Sequence, residues 1–194
     1  MKIFVCAAIG LALCACGSSP NTTYYALAAT SGTVRQASLG PIEVRRPGIA
    51  GYLDRTEILA QWDGQRLQLS QGAGWAEPIT AMIGRVLAEN LSNRLPGTIA
   101  FNASSELSLQ ANTVVEIVIR KFDLASDGNV HLHALWSIRG GGQTTTHTAA
   151  LQTQPNTTET APTVAAMSTL LGQLADKITT TLLERAAPAA TSGS

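Results

Sequence analysis

All three cysteines of this 194-residue chain, Cys6, Cys14 and Cys16, fall within its first sixteen residues. No pair is left downstream to form a disulfide, so whatever folds beyond them must be held by packing alone. Around these cysteines, Met1 and Lys2 lead into Ile3 to Leu13, a run almost free of polar atoms. About 11 apolar residues are too few to cross a bilayer, which takes roughly 20, but they match the apolar region of a secretory signal.

The signal ends in Leu13-Cys14-Ala15-Cys16, which resembles a bacterial lipobox. Cys16 is therefore expected to take a diacylglyceryl group as a thioether and become the first residue of the mature protein, because a thiolate is the nucleophile that reaction needs. Cys6 and Cys14 lack a suitable preceding triplet. Two or three acyl chains, at about 0.8 kcal/mol per buried methylene, make such an anchor effectively permanent, whereas one would be marginal. Gly17 follows Cys16. In Gram-negative bacteria an Asp there retains lipoproteins in the inner membrane, so by resemblance this chain is expected on the outer membrane, facing the periplasm. A soluble periplasmic product of ordinary signal cleavage is the weaker alternative.

The remainder is sized for one domain. The chain as a whole is 45% hydrophobic and only 13% charged, so it can build a core beneath a lightly charged surface. Thirteen Lys and Arg balance thirteen Asp and Glu, which leaves no basic excess to neutralise a phosphate backbone and argues against nucleic acid as a partner. The chain divides into a signal at 1–15, a lipidated N-terminus with tether and possible first strand at 16–36, an α/β domain at 37–186 and a flexible tail at 187–194. No internal repeat is visible.

Alternation and punctuation give the elements. Tyr24 to Leu27 and Leu39 to Arg46 read as short strands, the second ended by Pro47-Gly48. Glu57 to Trp62 and Gln65 to Ser70 flank Asp63-Gly64, a two-residue hairpin turn. Pairing Trp62 with Gln65 puts Ile58, Ala60, Trp62, Leu67 and Leu69 on one face. Gly72-Ala73-Gly74 reads as a turn, lacking the third glycine of a dinucleotide loop. From Trp75 to Leu95, apolar residues at helical spacing (Ile79, Met82, Ile83, Val86, Leu87, Leu91, Leu95) predict a helix with Pro78 at its start and Pro96-Gly97 at its end. Thr98 to Phe101 reads as a short strand. Thr113 to Leu124 and Val130 to Arg139 form a hairpin about Asp127-Gly128, and Gln143 to Gln152 completes a meander after Gly140 to Gly142. A second helix opens at Pro162 with Val164, Met167, Leu170, Leu171, Leu174, Ile178 and Leu182 inward. The fold class is α/β: a mixed sheet with two main amphipathic helices in a single domain.

Catalytic patterns are scarce. Gly-x-Ser-x-Gly and Gly-x-x-x-x-Gly-Lys are absent. His131 and His133 share a strand face, and the register about Gly140 to Gly142 places His147 diagonal to His133, so three imidazoles could converge on zinc, although the surrounding polar residues favour a plain sheet face. Glu116 faces Arg139 in the same register as a surface ion pair. Asp54 and Glu57 are near in sequence, with nothing to place them around one cleft. No enzyme activity, metal or cofactor is expected.

Pro47-Gly48-Ile49-Ala50-Gly51-Tyr52-Leu53-Asp54-Arg55-Thr56-Glu57-Ile58, followed by Trp75-Ala76-Glu77-Pro78 and Asn90-Leu91, resembles the PqiC/YmbA family of auxiliary lipoproteins of ABC-type transport systems. The resemblance covers most of the mature chain, with departures at Thr56, where Pro is frequent, and Ile79, where Leu is frequent. It implies a non-enzymatic outer-membrane lipoprotein that docks to an MCE-domain protein of an inner-membrane lipid transport system. The symmetry of such partners would match a homo-oligomeric collar. Tyr52, Leu53, Asp54 and Arg55 are residue types that serve interfaces, and are the candidate partner-binding loop. The competing readings are that Tyr52 and Leu53 plug the core edge, and that the chain is a structural or assembly lipoprotein of another envelope complex.

Overall fold

The computed structural model describes residues 21–63, 65–103 and 109–186, so the signal, Cys16 and the 187–194 tail lie outside the described residues. Five strands form a mixed sheet in the order β6-β2-β7-β8-β9: Ala100–Asn102 (β6), Ile42–Val44 (β2), Thr113–Leu124 (β7), Val130–Gly140 (β8) and Gln143–Thr153 (β9). The two-residue strand Gly48–Ile49 (β3) adds to β7. A smaller sheet has the order β1-β5-β4, built from Thr23–Tyr25 (β1), Leu67–Trp75 (β5) and Glu57–Trp62 (β4). β2 lies parallel to β6 and β7, whereas β7, β8 and β9 are antiparallel neighbours.

Two helices, Ile79–Arg94 (α1) and Thr160–Ala186 (α2), pack on each other and on this framework. Every apolar position predicted for their inner faces is buried, from Met82, Leu87 and Leu91 on α1 to Leu170, Leu174 and Ile178 on α2. Pro78 caps α1 from just outside, its carbonyl accepting the Ala81 and Met82 N–H groups, a place where the missing proline N–H costs nothing. Against the helices lie Val115, Ile117, Ile119, Leu132, Trp136 and Ile138 of β7 and β8, all buried. The result is one mixed α/β domain with a single apolar core.

The β7–β8 hairpin forms where Asp127-Gly128 predicts it, with Gly128 at φ +80°. The pairing is one residue off the expected register at the turn, where Leu124 lies opposite Val130, and a bulge between Ile119 and Lys121 adds one more, so Glu116 lies opposite Ser137 rather than Arg139. The ion pair survives as a diagonal contact, Arg139 Nη2 to Glu116 Oε1 at 3.2 Å.

The first hairpin departs further from expectation. Trp62 pairs with Leu67, not Gln65, and two irregularities between Glu57 and Gln61 break the simple alternation. Ile58 and Leu59 are both buried in consequence, while Leu69, expected on the core face, is exposed. Gly72-Ala73-Gly74 is not a turn but the continuation of β5, with Gly72 at φ +63° and the strand running on to a buried Trp75. Helical periodicity begins only at Ile79.

Residues 26–41, without regular structure, form an extended strap along the groove between the helices. The expected domain start at residue 37 falls inside this packed stretch. Leu27 is buried with its N–H on Met82 Sδ, the Ala28 N–H donates to Ser168 Oγ on α2, and the Thr30 N–H donates to Asn90 Oδ1 on α1. Further along, the Arg35 N–H meets the Arg94 carbonyl, and Thr98 Oγ1 bonds both Ala37 and Leu39. A peptide stretch inside a fold must find partners for its backbone groups, and here both helices supply them.

Candidate functional site

The Gly51–Leu53 segment forms a single 3₁₀ turn between β3 and β4. It brings the four predicted loop residues to one place but aims them differently. Leu53 points into the core at 3% exposure, and Asp54 is exposed. Arg55 is half-buried, its Nε donating to the Tyr52 carbonyl at 2.8 Å, which closes the turn. Tyr52 reaches across to β7, where its hydroxyl donates to Asp123 Oδ2 at 2.5 Å.

Asp123 is the unexpected member of this group. It is 1% exposed, and its second oxygen has no hydrogen-bond partner among the described residues, with Lys121 Nζ 4.0 Å away. Burial pushes its carboxyl pKa upward, and the Tyr52 bond only partly offsets this. Burial and the neighbouring carboxylate likewise push the Tyr52 phenol upward. Beside Asp123 lies a cavity of about 10 Å³, lined by Leu53, Ile58, Trp75, Phe122 and Met167 among others. That is room for roughly one water, not for an organic ligand. The sequence signal for Asp123 was slight: a carboxylate in a stretch of β7 where Phe122 and Leu124 are also buried.

This pair has a measurable pH signature. An acid whose folded-state pKa is raised favours the fold in its protonated form. Its contribution is complete below the ordinary value of 3.8 and is lost as pH rises through the higher folded value. Wild-type stability should therefore fall, relative to an Asp123→Asn variant, over that interval. Urea midpoints of both proteins at stepped pH would check it, and a constant difference would refute the assignment.

The three histidines do not converge. β8 and β9 pair with Gly140 opposite Gln143, one residue away from the predicted register, which turns every β9 side chain to the other face. His147 thus lies opposite Trp136 on the helix side, stacked on its indole at 5.4 Å between centroids. His131 and His133 lie on the opposite face, where His131 Nε2 is 2.9 Å from Asp127 Oδ2. The Asn129 N–H and His131 hold the Asp127 carboxylate down at about 2. Burial and the Lys121 charge lower the His133 pKa. Among the described residues no His, Cys, Asp and Glu cluster has the makings of a metal site.

A buried cation sits elsewhere, at Arg94 near the end of α1. Its side chain is 1% exposed; Nε donates to Asp176 Oδ1 at 2.6 Å, and Nη1 to the Thr30 carbonyl at 3.1 Å and to Asn90 Oδ1 at 3.0 Å. These bonds join α1, α2 and the strap at one point. Gly172 on α2 and Gly32 in the strap have no room for a side chain there, since a Cβ would overlap Thr30 Oγ1 and the Arg94 guanidinium respectively. The signal was present in the sequence, because Asn90 and Arg94 fall on the helical stripe otherwise occupied by Val86, Leu87 and Leu91.

Across known folds, a crystal structure of an uncharacterized protein superposes with a TM-score of 0.70 at 19% identity, covering 84% of this chain and 99% of that one. Protein XCC0632 from Xanthomonas campestris gives 0.68 at 20% identity, with 84% and 95% covered. Both establish likeness of fold. No curated protein sequence matches the chain significantly. Residues 25–179, from the second residue of the Tyr24-Tyr25 pair to the last turns of α2, match the sequence pattern of one family. That stretch includes the strap, the 3₁₀ turn, Asp123 and the Arg94 junction, and by it the chain belongs to the family of ABC-type transport auxiliary lipoprotein components.

Proposed function

We propose that the protein is an outer-membrane-anchored, periplasm-facing accessory lipoprotein of an ABC/MCE-type lipid transport system, acting by protein–protein docking. The family match over residues 25–179 carries this reading. Cys16 followed by Gly17 supports the anchor and its destination. The cavity beside Asp123 has room for roughly one water and not for an acyl chain, and the larger hollows among the described residues, of about 220–440 Å³, are grooves open to the surface. The 3₁₀ turn suits a docking element because Leu53 and the Tyr52–Asp123 bond fix it from within, leaving Asp54 and the edge of Arg55 presented on a preorganised backbone.

Asp54→Arg tests this without touching a buried group. Crosslinking and affinity capture of full-length protein from envelope fractions should recover an MCE-domain protein with wild type and several-fold less with the variant. Equal recovery would remove the loop from the interface while leaving the transporter reading standing. Recovery of a different envelope complex, with no MCE-domain protein, would overturn the transporter reading in favour of an assembly lipoprotein.

A further inference from the structure

The small sheet places the exit of the tether beside an exposed arm of the domain. β1 runs parallel to β5, with Thr23 opposite Ala73, so the chain preceding β1 leaves alongside the residues preceding Ala73. The Asn21 carbonyl lies next to Gly72. Read backwards from Tyr25 to Thr23, β1 points toward the start of β5, where β4 and β5 meet.

The lengths match. Asn21 lies five positions after Cys16, a stretch that fully extended spans at most about 18 Å. Gly72 lies five positions after Leu67 along β5, and a strand of that length spans about 17 Å. A lipid on Cys16 therefore cannot hold the domain much further from the bilayer than the arm itself extends.

The arm is built for that neighbour. Between Gln61 and Gly72 the sequence carries only two charged residues, Asp63 and Arg66. The Asp63 carboxylate already accepts the Gln65 and Arg66 N–H groups, and Arg66 is exposed and held in no ion pair among the described residues. Leu67 packs in part against the core, while Leu69 is 41% exposed on a strand whose expected role was core. At the arm's base Tyr24 is 67% exposed, its ring lying against Gly74. An exposed leucine, an exposed arginine and an amphipathic ring are what an interfacial contact with phospholipid headgroups uses.

We propose that the Arg66–Leu69 stretch of β5, with Tyr24, rests on the headgroup layer of the membrane that carries the lipidated Cys16, and so sets the orientation of the domain on that surface. The occupant is the anchoring leaflet itself. This rests on the lipid-anchor part of the proposed function, and the experiment separates the two.

Once the Cys16 thiol is consumed as a thioether, the mature chain offers no other cysteine, so a Leu69→Cys variant can be labelled at one site. The full-length lipidated variant, carrying a nitrobenzoxadiazole probe, is reconstituted into phosphatidylethanolamine–phosphatidylglycerol vesicles containing a doxyl-labelled lipid. Ile99→Cys serves as control, 58% exposed and lying past the far end of α1, a helix about 24 Å long. The expected result is several-fold stronger quenching at position 69 than at 99, with circular dichroism unchanged. Vesicle flotation with equal quenching at both positions would overturn the contact while leaving the anchor intact. Failure to float would overturn the anchor, and the contact with it.

Discussion

Replacing Arg94 with Ala should lower the unfolding free energy by about 3 kcal/mol, a large share of the roughly 5–15 kcal/mol that holds a domain of this kind. The size follows from what the guanidinium leaves behind. The Thr30 carbonyl loses its guanidinium donor, and a buried acceptor left unpaired costs about 1–3 kcal/mol. Asn90 Oδ1 keeps the Thr30 N–H but loses its second donor, and the packing of the buried stem is lost as well. Asp176 contributes less, because its side chain is 47% exposed and regains water once the partner is gone. Asp176→Asn should therefore cost well under half as much as Arg94→Ala. Arg94→Met keeps most of the stem and its packing, so a loss close to that of Ala would assign the effect to the polar junction. Denaturant unfolding of the three variants decides this, and equal losses for Asp176→Asn and Arg94→Ala would show that the ion pair, rather than the strap, is what Arg94 secures.

Trp136→Ala should be at least as damaging, at about 3–5 kcal/mol. The side chain is 3% exposed in the middle of β8, facing the helices and stacked on His147. Its removal opens a cavity between the sheet and α2 that neighbouring side chains cannot fill, since β8 is fixed by strands on both sides. Its indole Nε1 has no hydrogen-bond partner among the described residues, so the loss comes from packing. Trp136→Phe removes that unsatisfied N–H along with one ring, and should cost only about 1 kcal/mol. A Phe variant as unstable as the Ala variant would contradict a packing role and point to an unseen partner for the indole.

What could be read beforehand was whatever depends on local period and punctuation. The helices announced themselves because seven apolar positions on each recur at helical spacing, bounded by Pro78, Pro96-Gly97 and Pro162. The Asp127-Gly128 turn likewise fixed which strands pair. Register was another matter. The bulge at Ile119 to Lys121 and the one-residue offset at Gly140 to Gln143 leave no mark in the alternation, yet the second moved His147 to the far side of the sheet. The candidate loop was legible as a resemblance at Tyr52 to Arg55, but not its fastening, because Asp123 lies 71 residues from Tyr52. Arg94 could be suspected from its place on the apolar stripe of α1, but its partners at Thr30 and Asp176, like that of Asp123, depend on where the chain returns.

The strap has a consequence for the order in which the molecule can be completed. Its residues are among the first of the folded part to be synthesised, yet the groove that receives them has α2 as one wall: Ala28 bonds Ser168 across 140 positions, and Arg94 bonds Asp176 across 82. Such distant pairings close late, since chain entropy must be spent before they give anything back. Until α2 arrives, Leu27 has no pocket and the inner faces of β7 and β8 stand open to water. A chain delivered across a membrane from its N-terminus would carry that apolar surface uncovered through most of its passage. Stop codons placed before Thr160 should accordingly yield not a smaller domain but aggregate.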